Sequence, residues 1–168
     1  LFLVESVNAS ASFELFEEIL ADYSSLFKQD VKEKESDLDE ETLSKKANEL
    51  LLDGTIWSGA RYSSMSPIAK LVSSYQHVRE LGVDKTRDLM RKLDYLYNNL
   101  GDDPSKPCKI YKNTTYPIAY ACSIMGEVVA WFLDRGVSPI FGNSNILLEG
   151  IASDASLLSI RQVYEKYP

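Results

Sequence analysis

The sequence predicts an all-α fold: a single domain, built as an irregular bundle of five or six helices around a central apolar helix at about 117–135. Three observations carry this. The stretch 117–133, PIAYACSIMGEVVAWFL, is the longest apolar run in the chain, broken only by Ser123, Gly126 and Glu127. Elsewhere, apolar residues recur at the i, i+3, i+4 spacing of helix faces rather than alternating as in strands. Helix start signals also recur, above all Ser66-Pro67, a cap followed by a proline at the first helical position.

Taken in order, residues 1–11 read as an N-terminal extension and 12–168 as the helical domain. Ser12 caps a helix to about Gln29, with Phe13, Phe16, Ile19, Leu20, Tyr23 and Phe27 on one face. The charge-dense segment 30–39, DVKEKESDLD, reads as a surface loop. Asp37 and Glu40 then suggest a capping pair for a second helix to about Asp53, stopped by Gly54. Small polar residues between 55 and 66 mark an irregular connection. A third helix runs from Pro67 to about Leu81, and a fourth from an Asp84 cap to about Leu100, closed by Gly101. The short link between them predicts a hairpin. Pro117 opens the central helix, and Gly136 suits its left-handed end. A short turn follows near 138–143, another near 146–149, and a last helix from an Asp154 cap to about Lys166. Only Leu1–Val4 and 109–111 suggest short strands.

Composition narrows the function. Of the residues, 45% are hydrophobic and 26% charged, ordinary values for a globular chain. The formal charge of −7 argues against a nucleic-acid binder. Residues 14–53 hold thirteen acids and five bases, a net of −8, whereas 54–115 hold ten bases and six acids, a net of +4. Such segregation suits a charged partner or head-to-tail self-association. A membrane span is not expected: the central run is short of about twenty residues and carries Glu127.

Recognisable catalytic patterns do not emerge. His77 is the lone histidine, which leaves little for histidine catalysis or a histidine-rich metal site. The sequence holds no phosphate-binding glycine loop, HExxH or EF-hand pattern, so neither metal nor cofactor is expected. Cys108 and Cys122 are too few for a disulfide framework, and their pairing stays open. The sequons at Asn8 and Asn113 matter only in a secreted chain. Lys85, Arg87, Arg91 and Lys92 alternate with acids, as on a salt-bridged solvated face.

The reading these observations favour is a non-catalytic protein–protein interaction or assembly domain, self-association included. Trp57, Tyr62 and Met65 would anchor the contact, with Lys106, Lys109 and Lys112 at its rim. Two alternatives use one face of the central helix, Tyr120, Ser123, Glu127 and Trp131. One is a carrier with a pocket for a small apolar ligand. The other is an enzyme in which Glu127 is a buried carboxylate.

Overall fold

Helix α1, Phe13–Lys34, begins where the Ser12 hydroxyl accepts the Leu15 N–H, and its Phe13, Phe16 and Leu20 are buried as the spacing requires. The computed structural model describes residues 7, 10–58, 63–76, 78, 81–110, 112–124, 126–153 and 155–168. The expected strand at Leu1–Val4, the sequon residue Asn8, Tyr62, His77 and the Asp154 cap lie outside them.

α1 runs a full turn past the predicted end at Gln29. Val31 is buried there, Lys34 pairs with Asp30 at 2.7 Å, and Lys32 and Lys34 suit a helix C-terminus. The predicted loop therefore shrinks to a few residues. Helix α2, Glu40–Leu51, is capped by Asp39 rather than Asp37: the Asp39 carboxylate accepts the Thr42 N–H at 2.7 Å. Beside α1 it forms the acidic hairpin, bridged by Lys28–Glu40 and Lys46–Glu35.

Gly54 does not end a helix but begins one, the short α3, Gly54–Ser58. The Gly54 carbonyl accepts the Met65 N–H at 3.0 Å, which folds the connection back under the core. Helix α4, Pro67–Tyr75, starts at the predicted signal, with the Ser66 hydroxyl accepting the Ala69 N–H. It ends before the predicted Leu81. Helix α5, Val83–Tyr95, packs on α4 and α1. Its cap position is Gly82, without a side-chain bond, and Asp84 pairs instead with Arg87. Its last turn, Leu96–Leu100, widens into a π-helical turn, closed by Gly101 in the left-handed conformation.

The loop after Gly101 carries a small antiparallel ribbon, β1 Cys108–Ile110 and β2 Asn113–Thr115, with Cys108 opposite Thr115. The expected strand at 109–111 is thus shifted by one residue. The central run then differs from the prediction. Part of it is buried, but it is not one rod: α6, Pro117–Ala121, and α7, Glu127–Asp134, are separate helices, with turns at 122–124 after the first. Gly126 is the reason. Its φ of 59° and ψ of −126° lie where only glycine sits without strain, so the helix cannot pass through it. Val128, Val129, Trp131 and Phe132 still bury the inner face of α7.

A second ribbon, β3 Ile140–Phe141 and β4 Ser144–Asn145, leads into α8, Ile146–Ala152. Helix α9, Leu157–Lys166, is capped by Ser156. It packs on α8, and α8 packs on α6. The core joins residues from α1 to α9 and takes in Val7; the Val7 carbonyl accepts the Ser74 hydroxyl, and the Ala11 carbonyl accepts the Lys92 ammonium. This is a small all-α domain. No helix among the described residues is long and apolar enough to cross a membrane.

Candidate functional site

Of the residues predicted to form a contact surface, Trp57 and Met65 are taken by the core, and Tyr62 lies outside the described residues. Trp57 is fully buried, and its indole N–H donates to the Leu51 carbonyl at 2.7 Å. Met65 is buried too, in a small cluster with Ala69 and Cys108 beneath the β1–β2 ribbon. The backbone around them is held by the Gly54 carbonyl, which accepts the Met65 N–H, and by the bridge between Ser64 and Lys109. Lys106, Lys109 and Lys112 are exposed, but they have no aromatic anchors among the described residues to rim.

The alternative face also comes apart. The separation of the two helices puts Tyr120 on α6 and Glu127 and Trp131 on α7. Tyr120 leans on the Met65–Cys108 cluster, and Ser123, half-buried, donates back to the Tyr120 carbonyl. Trp131 is buried against Phe132, while its indole N–H donates to Asp94 at 2.8 Å. The Asp94 carboxylate also accepts Arg135 at 2.7 Å, and that guanidinium stacks on the Trp131 ring at 3.9 Å. Glu127 is exposed, in the first turn of α7, where the helix dipole favours an acid. It is not the buried carboxylate expected from the sequence. It stands at the edge of a surface groove of about 470 Å³ with Leu81, Val83, Thr86, Arg87 and Met90.

The buried titratable groups lie elsewhere. Asp102 is 3% exposed, and its carboxylate accepts the Ile68 N–H at 2.8 Å across the start of α4. Burial pushes its pKa up to about 7, against the opposing pull of the Ile68 N–H and Lys106. Lys92 is fully buried below the rings of Phe16 and Tyr75, and desolvation lowers its pKa. Both cysteines are free and buried; burial raises the Cys108 thiol and pushes Cys122 up to about 12. Thiols held protonated in this way are poor nucleophiles and poor ligands. Among the described residues no group of three or more His, Cys, Asp or Glu is placed to hold a metal ion.

What the structure adds is an apolar face at the C-terminal end. Ile140 on the β3–β4 ribbon, Leu148 and Ile151 on α8, and Leu157, Leu158 and Tyr164 on α9 are between 59% and 85% exposed. The two helices pack on each other, and their buried residues are Ile146, Gly150 and Val163. The other exposed apolar residues among those described are Leu15 and Leu26 on α1, Leu50 on α2, Val83 on α5 and Tyr97 on the π-helical turn. Singly exposed apolar residues are normal, but a group of this kind is not. No local signal marks it in the sequence: Leu157-Leu158 reads like Leu71-Val72 and Val128-Val129, and both of those pairs are buried.

The chain matches no protein-family model, no curated protein and no solved structure.

Proposed function

We propose that this chain is a non-catalytic protein-interaction domain, and that its contact surface is the outward face of α8 and α9 with the adjoining β3–β4 ribbon. The observation that supports this reading is the grouping of six large apolar side chains, each more than half exposed, within 25 residues of chain from 140 to 164. Exposing apolar area costs about 25 cal/mol per Å², so a partner that covers it gains that much back. The surface replaces the one expected from Trp57 and Met65, whose side chains are already used by the core. The rim is charged: Arg161 pairs with Glu165 at 2.6 Å, and Lys166 with Asp134 at 3.2 Å. An apolar centre with a polar rim is the usual anatomy of an interface.

The test is quantitative affinity capture from the native source, with wild-type protein beside the separate variants Ile151→Asp and Leu157→Asp. Both positions are exposed, so neither change disturbs the core. The reading expects one set of bound proteins, this chain included among the candidates, to be lost with both variants. Identical capture by all three proteins would remove the proposed surface.

A further inference from the structure

We propose that the Asp102 carboxyl group is the catch of a pH-sensitive latch: protonated, it holds the following loop and the β1–β2 ribbon closed on the start of α4, and ionised, it lets them part from it. The device is independent of the α8–α9 surface.

The segment after Asp102 is hydrogen-bonded within itself. The Asp103 carboxylate accepts the Ser105 N–H at 2.8 Å and the Ser105 hydroxyl at 2.7 Å, the Asp103 carbonyl accepts the Lys106 N–H at 3.1 Å, and β1 pairs with β2. These bonds survive if the segment moves as one piece. Its fastenings to the rest of the chain converge on 64–68. Ser64 and Lys109 exchange backbone hydrogen bonds at 2.7 and 2.8 Å, Ser66 lies beside the Cys108 sulfur, and the Asp102 carboxylate accepts the Ile68 N–H at 2.8 Å. Met65, Ala69 and Cys108 form the buried layer beneath, with Tyr120 packed against it. The Tyr120 hydroxyl is buried without a hydrogen-bond partner among the described residues, so parting returns it to water.

Asp102 is the fastening whose charge changes near neutrality. It is 3% exposed. It faces Asp103 and Lys106 on its own loop, Cys108 on β1, and the uncharged Ile68 N–H of α4. Lys106 is exposed, so water and salt screen its attraction, and burial prevails: the proton is held to about pH 7 instead of 3.8. In the parted state the carboxyl group is solvated and ionises in its ordinary range. The closed state holds the proton more tightly, so its advantage is complete below about pH 4 and is lost as pH rises to about 7.

The experiment uses Cys108, 1% exposed in the closed state, as the reporter. Native protein is pulsed with N-ethylmaleimide between pH 5 and pH 8, and modification of Cys108 is read by mass spectrometry. Each rate is divided by that of the same cysteine in the urea-unfolded chain at the same pH, which removes the ionisation of the thiol itself. From the two titration points of Asp102, the parted fraction is expected to rise on the order of 100-fold between pH 5 and pH 8. It is also expected to exceed the globally unfolded fraction, obtained from urea titrations at each pH, by at least ~10-fold. Asp102→Asn, with circular dichroism identical to wild type, should give a Cys108 exposure that no longer changes with pH. Three results overturn the latch: a wild-type exposure flat with pH, an exposure equal to the globally unfolded fraction, or the same rise in folded Asp102→Asn. The first two are read on wild type and need no variant.

Discussion

Asp102→Asn should stabilise this protein at neutral and higher pH. The carboxylate is buried at the start of α4, where one oxygen accepts the Ile68 N–H at 2.8 Å. Its folded pKa is raised from 3.8 to about 7. A raised carboxyl pKa means that the folded state holds the proton more tightly than the unfolded chain does. The favourable contribution is therefore complete below about pH 4 and is lost as pH rises from there to about 7. The span is about three pKa units at ~1.4 kcal/mol each, so the ionised group costs the fold up to ~4 kcal/mol above neutrality. Asparagine keeps an oxygen for the Ile68 N–H and cannot ionise. Its amide nitrogen adds donors without an evident acceptor, at a cost of ~1–2 kcal/mol. The net expectation is a gain of ~2–3 kcal/mol at pH 8 and a loss of ~1–2 kcal/mol at pH 4. Urea unfolding of both proteins at pH 4, 6 and 8 measures it. Wild type should lose stability between pH 4 and 7 relative to the variant. Parallel pH profiles, or a variant less stable at pH 8, would refute the reasoning.

Three further outcomes follow from the same structure. Gly126→Ala places a side chain at a φ of 59° and should cost ~1–3 kcal/mol of stability, read by thermal or urea unfolding; an unchanged midpoint would mean that the break between α6 and α7 needs no glycine. Trp57→Phe keeps most of the apolar volume but strips the Leu51 carbonyl of its 2.7 Å donor, for an expected loss of ~1–3 kcal/mol. The same variant should leave the set of captured proteins unchanged, since Trp57 lies in the core.

What the sequence revealed was local, and what it hid depended on distant parts of the chain. Ser66-Pro67 and the left-handed Gly136 could be read directly, because a cap or a positive φ is decided within a few residues. The inward stripe of α1 was equally plain. Gly126 was not, since in an apolar run it reads as a small packing residue and nothing beside it announces a φ above zero. That single torsion divides the expected 117–135 helix and separates Tyr120 from Glu127, which ends the pocket drawn from their helical spacing. Asp102, beside Asp103 and Pro104, carries no local mark of burial. Its burial depends on Ile68, 34 residues earlier in the chain. Trp57 and Met65 read equally well as contact anchors or as core, and only the folded chain, in which both are buried, decides for the core. The α8–α9 face needed both helices in place, because the residues that turn inward, Ile146, Gly150 and Val163, are what leave Leu148, Ile151 and Leu157 outside.

The proposed surface can be watched directly by carbene footprinting of the wild-type chain alone and with its captured proteins added, with labelling of Leu157 and Tyr164 compared with that of Leu26, exposed on α1. Labelling of Leu157 and Tyr164 should fall together when the captured proteins are present, while Leu26 stays constant. Constant labelling of all three residues would contradict the proposal that α8 and α9 form the contact surface.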